Sequence, residues 1–398
     1  MSRLDELIAE LCPNGVIYKR FDEACTLHAR IGWQRLTKAE YKVTGDYMLI
    51  TGTDFTSSNE VNYKSCVYVS KDRYVQDPKI QIKDGDVLIT KDGTLGKVAQ
   101  VNNLPMPATL NGGVFVVRPK DESLLPRYIM HFLLSGHFQK VVEQQKTGST
   151  ISHLTQALFS RLLLPVPPLE VQREIVHILD NFTELTAELT AELTARKKQY
   201  EFYRNKLLTF ESNISCVPLK DVAIIERGTR VVRNQLSDSG EYPVYQNALT
   251  PMGYYEDFNR NANNTFMICA GAAGQIGFSV VDFWAADDCY TFKCNENIDN
   301  KYLFHVLKNN QYKIDSKVRK ASIPRISRES VGNILVPVPE LKVQKRIVNV
   351  LDNFESICTD LNIGLPAEIE ARQKQYEYYR DLLLTFAAEG ATILTDRQ

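Results

Sequence analysis

The stretch 165–210 constrains this chain most, because it occurs twice. The first copy reads PVPPLEVQREIVHILDNF, continues through a threonine, glutamate and leucine run, and ends RKKQYEFYRNKLLTF. The second copy, at 337–386, reads PVPELKVQKRIVNVLDNF, has a different middle, and ends RQKQYEYYRDLLLTF. Val171, Gln172, Ile175 and Asp180 align with Val343, Gln344, Ile347 and Asp352 at an offset of 172. After the middle, Tyr200, Tyr203 and Phe210 align with Tyr376, Tyr379 and Phe386 at an offset of 176.

Each copy carries a helical stripe. In the first, Val171, Ile175, Ile178, Phe182, Leu185, Leu189 and Leu193 recur every three or four residues, and Tyr200, Tyr203, Leu207 and Phe210 resume the line between charged neighbours. Pro167 and Pro168 suit the start of such a helix and Asn213 suits its stop. About forty residues at about 1.5 Å each span roughly 60 Å, too long for an ordinary core helix, so the stripe predicts a coiled-coil seam whose partner is the second copy. Gly364, Leu365 and Pro366 interrupt that second copy, and a break is expected there, with Pro366 restarting the helix. The middle of the first copy repeats TAEL at 186–189 and 190–193. Four residues turn a helix by about 400° and lengthen it by roughly 6 Å, so the stripe stays nearly in phase while the rod grows, as in an adjustable spacer.

The remaining sequence falls into two segments built to one loose plan. A short helix is expected over 2–11, where Ser2 and Asp5 have capping-box spacing. Strands are expected at 47–50, 67–69, 87–90 and 114–117, and helices at 127–134 and 138–145. Between 216 and 336 the same order returns: 127–131 resembles 301–305, and the strand and glycine turn at 87–98 has a counterpart at 266–276. At 398 residues the chain can hold two or three domains. The reading is α+β with an internal repeat: a first domain over 1–165 including the short N-terminal helix, a long helix over 166–212, a second domain over 213–337, a second long helix over 338–388 broken near 364–366, and a tail over 389–398.

Composition narrows the function classes. No apolar run is long enough for a membrane span, and the first eleven residues lack the pattern of a secretory signal, so a cytoplasmic protein is expected. Eight scattered cysteines with no CxxC read as reduced, mostly buried thiols without a zinc site. No catalytic constellation holds. Gly93 to Lys97 resembles the end of a phosphate loop, but the first glycine position is Lys91 and Val98 follows the lysine. The glycine turn at 269–274 reads as a hairpin, and His131 and His305 as structural residues. HExxH, GxSxG and the NPP[YF] tetrapeptide of adenine methyltransferases do not occur.

Binding chemistry has better support. A net charge of -1 gives no global signal for nucleic acid, so contacts must come from local patches. Arg30, Trp33, Arg35 and Lys38, with Lys91 and Lys97, are the candidates in the first domain. Arg227, Arg230 and Arg233, then Gln246, Asn247 and Tyr254, then Lys317, Arg319, Lys320 and Arg325 are those in the second. Arginine and lysine neutralise phosphates or read guanine, and glutamine and asparagine pair with adenine; a solvated basic face is the plain alternative for any one cluster.

The duplicated PVPxLxVQxxIVxxLDNF and KQYExYRxxLLTF segments, alternating with two unlike domains, resemble the specificity subunit of type I restriction-modification systems. The resemblance implies two target-recognition domains, each reading one half of a bipartite, asymmetric site on double-stranded DNA. It implies an antiparallel coiled coil with pseudo-two-fold symmetry that fixes their spacing and docks two methyltransferase subunits. It also implies that restriction subunits join, and that S-adenosylmethionine, ATP and Mg belong to those partners rather than to this non-catalytic chain. Tyr200, Tyr203, Arg204, Tyr376, Tyr379 and Arg380 are then candidates for methyltransferase docking, plain coiled-coil packing being the other reading. A structural coiled-coil adapter without sequence-specific DNA binding is the competing function.

Overall fold

A computed structural model describes residues 2–32, 35–144, 154–210, 214–237, 240–360 and 362–386. The chain divides into two compact units, 1–190 with 368–398, and 191–367.

In the first unit a four-stranded antiparallel sheet runs in the order Cys25–Ala29, Val114–Pro119, Val87–Thr90, Val98–Gln100. A three-stranded sheet places Met48–Ile50 between Val67–Tyr68, to which it is antiparallel, and Ala108–Leu110, to which it is parallel. A third pairing joins Ile17–Arg20 to Leu163–Val166, so the chain leaves the domain beside the strand on which it entered. The second unit repeats all three. Ala223–Arg227, Cys289–Cys294, Asn264–Ile268 and Ile276–Ser279 form the four-stranded sheet. Tyr242–Tyr245 lies between antiparallel Tyr254–Tyr255 and parallel Trp284–Ala285, and Cys216–Pro218 pairs with Leu335–Pro337. Identical strand orders from segments with little sequence in common are what the shared apolar pattern produces when only the loops diverge.

One helix of each unit packs on the four-stranded sheet. Pro126–Leu134 buries Tyr128, Ile129, Met130, His131, Phe132 and Leu133, and Asn300–Asn309 buries the matching Tyr302 to Leu307. Gly136–Gln144 follows the first helix and Gln311–Asp315 the second. The N-terminal helix, Arg3–Leu11, is closed by the expected reciprocal cap between Ser2 and Asp5 and puts Leu4 into the first core.

The expected long helix is a single element, Leu169–Leu208, of 40 residues. Pro167 and Pro168 precede it rather than occupy its first turn, and the expected stop at Asn213 lies outside the described residues. The second copy is broken as its glycine and proline require, into Leu341–Thr359 and Leu365–Thr385. Within the first unit, Phe182 stacks on Tyr379, and the Tyr18 hydroxyl donates to the Thr385 carbonyl beside the strand that leads into the central helix. The C-terminal helix therefore runs antiparallel to the start of the central helix. In the second unit Tyr203 stacks on Phe354, while Lys197 and Arg196 face Cys358, again antiparallel.

The seam is unevenly buried. Val171, Ile175, Leu179, Ile347 and Leu351 are buried, whereas Leu185 is exposed and Leu189 and Leu193 are half-buried. Among the described residues no helix is long and apolar enough to cross a membrane. All eight cysteines are free, Cys216 is exposed, and burial pushes the Cys25 and Cys66 thiols up to about 12, which leaves them inert.

Candidate DNA interface and its helical frame

The duplicated helices hold the α+β domains through the same buried side chains in both units. Gln172 is fully buried: its Oε1 accepts from the Leu125 N–H at 2.9 Å, and its Nε2 donates to the carbonyls of Ser123 and Pro167 at 2.8 and 2.7 Å. Gln344 makes the corresponding bonds with the Asp299 N–H and the carbonyls of Asn297 and Pro339, at 2.9, 2.8 and 2.7 Å. An amide suits this place because it satisfies a donor and two acceptors without a charge to desolvate. Tyr128 and Tyr302 donate their hydroxyls to the carbonyls of Pro165 and Pro337, each at 3.1 Å.

The histidines read as structural are the second joint. His131 Nε2 lies 2.8 Å from Asp180, and His305 Nε2 lies 2.7 Å from Asp352. Arg127 adds an ion pair to Asp180 and Lys301 one to Asp352. Burial depresses the His131 imidazole despite the raising influence of Asp180, so it is neutral at pH 7 and donates from Nε2. Burial alone would raise the Asp180 carboxyl, but His131 and Arg127 outweigh it and hold the group below its ordinary value; His305 and Lys301 do the same for Asp352.

The loops above this frame carry the divergent side chains. In the second unit, three segments meet at one edge. Residues 246–247 follow the central parallel strand, with the Asn247 carbonyl accepting from the Ala272 N–H at 2.9 Å and those of Tyr245 and Gln246 accepting from the Cys289 thiol. The glycine turn at 269–274 has Gly271 at φ +86°, and a Cβ there would lie 2.8 Å from the Asn247 Cβ. The backbones of Arg319 and Arg325 bond each other, and the Gly271 N–H donates to the Pro324 carbonyl, which closes the 319–325 segment onto the turn. Asn247, Arg319, Lys320 and Arg325 are exposed around this junction and Gln246 is half-buried. Lys317, Arg230 and Arg233 are exposed, Tyr254 is 41% exposed on an edge strand, and Arg227 spends its Nε on the Asp287 carbonyl.

The first unit uses the same scaffold with other residues. Gly93 and Gly96 take positive φ in the corresponding turn, which makes it a hairpin between Val87–Thr90 and Val98–Gln100 rather than a phosphate loop. The Lys91 carbonyl accepts from the Leu154 N–H, as that of Cys269 accepts from Ile326. Lys97, Arg35 and Lys38 are exposed, and Lys91 is half-buried over the Phe115 ring. After the central strand, Thr51 and Gly52 stand where the second unit has Gln246 and Asn247, and Thr51 bonds the buried Asp54.

Two groups of sequence candidates need correction. Arg30 is 2% exposed and gives its guanidinium to the Leu110 carbonyl and the Thr109 hydroxyl, so it ties the first domain together from inside instead of meeting a ligand. Trp33 lies outside the described residues. In the helical tails, Tyr376 is turned inward to His131 at 3.2 Å, and Arg380 and Arg204 lie over the rings of Tyr376 and Tyr200. Tyr203 and Tyr379 are stacked on Phe354 and Phe182, and Tyr379 remains 40% exposed. The more exposed aromatics are their neighbours Phe202 and Tyr378, 61% and 64% exposed at equivalent places. The repeat contained that signal, since an aromatic residue occupies the same exposed position in both copies.

Among the described residues one group could offer a metal three ligand atoms within 4.8 Å of one another: His305, Asp352 and Glu355. The Lys301 ammonium, 3.6 Å from Asp352, and Lys308 beside Glu355 already supply positive charge there.

A duplicated α+β scaffold on a shared helical spacer, with loops that differ between the halves, defines a class of two-headed recognition proteins. The family model described as the type I restriction modification DNA specificity domain matches residues 19–196 and 211–371. A putative type I restriction enzyme specificity subunit of Haemophilus influenzae is 33% identical over 330 residues, 76% of this chain and 83% of the relative. The Escherichia coli EcoR124I/EcoR124II specificity subunit is 34% identical over 297 residues, 67% of this chain and 72% of the relative. This chain belongs to the type I restriction-modification specificity-subunit family. The fold is that of the S subunit of the type I system of M. genitalium, with a TM-score of 0.57 at 16% identity over 97% of this chain and 98% of that one. It is equally that of a chain solved in work on complex assembly and conformational transition of the type I system, with a TM-score of 0.62 at 16% identity over 95% and 99%.

Proposed function

We propose that this chain is the sequence reader of a type I restriction-modification complex in the cytoplasm, recognising a bipartite, asymmetric site on double-stranded DNA with one half read by each recognition domain. The observation that carries this reading is the contrast between frame and loops: the Gln, Tyr and His–Asp joints are the same in both units, whereas the loop after the central strand holds Thr51 and Gly52 in one and Gln246 and Asn247 in the other. A shared support with exchanged side chains is the design of two readers for two targets. Free amides and guanidinium groups at the edge of the second unit have the donor and acceptor patterns that bind adenine, guanine and phosphate in the major groove.

In this reading the chain performs no chemistry. Two methyltransferase subunits dock on the equivalent outward faces that carry Phe202 and Tyr378 and bring S-adenosylmethionine; restriction subunits bring ATP and Mg. The test is to co-express the chain with its methyltransferase subunit and sequence adenine methylation across the host genome. A single bipartite motif with a fixed gap is the expected result. A stable complex that adds no methylation would leave a helical adapter in its place.

A further inference from the structure

The two units share the Gln and His–Asp joints but differ in how the opposing helix is attached. In the second unit the central helix runs on through the chain into the strand Cys216–Pro218, so a peptide link of seven residues ties that helix to its domain. In the first unit the equivalent partner is the C-terminal helix, and the strand beside its end, Ile17–Arg20, lies at the other end of the sequence. Three side-chain contacts occupy this place. The Tyr18 hydroxyl donates to the Thr385 carbonyl at 2.7 Å, His131 Nδ1 lies 3.2 Å from the Tyr376 hydroxyl, and Asp381 Oδ1 accepts from the Gly136 N–H at 2.8 Å.

None of the three has a counterpart among the described residues of the second unit. Tyr18 becomes Cys216 in the matching strand. His305 Nδ1 is buried without a partner, although Tyr200 stands where Tyr376 does. Asp381 becomes Asn205, and Asn310, at the position of Gly136, gives its N–H to carbonyls of its own helix. The fit at Gly136 is close: a Cβ there would sit 2.4 Å from Asp381 Oδ2.

We propose that Tyr18, His131 and Asp381 form a latch that holds the C-terminal helix on the first recognition domain in place of the missing peptide link, and that they are positioning residues for the half-site which that domain reads. The second clause rests on the proposed function; the first does not. With the latch broken, the C-terminal helix opens locally and takes its outward Tyr378 with it, while the second unit, secured by its own chain, keeps its geometry.

The experiment is hydrogen exchange on the full chain, comparing wild type with Tyr18→Phe/Asp381→Asn and, separately, with Gly136→Ala, which crowds the Asp381 carboxylate without touching the core. Exchange over 376–385 is expected to speed up at least tenfold, with 200–208 and 341–359 unchanged. Unchanged protection at 376–385 in both variants, or equal acceleration in the two units, overturns the latch. Should the double variant fail to fold, Gly136→Ala alone decides the matter. Methylation by the complete methyltransferase complex is the second readout. Discrimination is expected to relax at least tenfold at the bases of one half-site only, whereas equal relaxation at both halves refutes a positioning role. Wild-type complex that methylates no bipartite motif would sink the recognition reading and leave the exchange result standing.

Discussion

His131 and Asp180 meet at 2.8 Å across the boundary between a domain helix and the duplicated long helix, and His305 and Asp352 repeat the contact at 2.7 Å. This relationship explains why the LDNF tetrapeptide is kept in both copies: its aspartate accepts the hydrogen bond that orients a fully buried imidazole. The joint also imposes a pH dependence. Burial holds the folded His131 below its ordinary value, while the unfolded residue titrates near about 6.5. The folded state thus resists a proton that the unfolded state accepts. Stability is fully present above that value and is lost as pH falls from about 6.5 towards the lower folded value. Asp180 and Tyr376 face the ring in this joint, with Arg127 and Arg380 nearby, and Asp180 stays ionised throughout this window because its own value is depressed. Denaturant midpoints measured between pH 7.5 and 5 should fall for wild type, with a slope of no more than about 1.4 kcal/mol per pH unit for one proton. His131→Asn should flatten that slope.

Gln172 and Gln344 yield a sharper test, because each satisfies three main-chain groups from a fully buried position. Truncation to alanine strands those groups without water, at about 1–3 kcal/mol for each one left unpaired. Gln172→Ala is expected to destabilise the first unit by about 2–4 kcal/mol. Gln172→Glu should be at least as harmful, since it sets a carboxylate oxygen against the carbonyls of Ser123 and Pro167. Urea unfolding of both variants measures this, and a Glu variant as stable as wild type would refute the assigned bonds.

Much of this frame could be read from residues alone, and the reasons for the misses are physical. Periodicity located the long helix and proline its break, because both depend on local backbone rules. Periodicity identifies an apolar face without saying what covers it, so Leu185 entered the seam on spacing yet is exposed. Charge marked Arg30 as a surface cation, but the Leu110 carbonyl and the Thr109 hydroxyl, on one strand far away in sequence, made it an internal tie. Tyr376 and Tyr200 were chosen for the tails because they repeat; repetition reports a shared role and is silent on whether that role faces inward.

Phe202 and Tyr378, the more exposed aromatics of the two tails, are the better docking candidates. Each is more than half exposed, so replacing either with alanine removes little buried area and should change stability by less than about 0.5 kcal/mol. If the two faces dock two copies of one methyltransferase, each single variant should hold one copy and the double variant none. Native mass spectrometry of the co-expressed complexes counts them directly. Full occupancy in the double variant would move docking elsewhere on the chain.

The TAEL repeat tests how the spacer works. It lies in the uninterrupted part of the central helix, where Leu189 and Leu193 are only half-buried. Deleting 190–193 takes out about 6 Å of helix and rotates the C-terminal remainder of that helix by about 400°, close to one turn. The apolar line therefore stays nearly in register and the two helices can still pair. Duplex DNA advances about 3.4 Å per base pair, so the gap between the half-sites should shrink by about one or two base pairs while the bases read in each half stay the same. Methylation mapping of wild type and the deletion variant, each with the same methyltransferase subunit, reports both quantities at once. An unchanged gap would mean that the spacing is set elsewhere in the complex. Altered bases at constant gap would mean that the helix steers the reading loops as well as separating them.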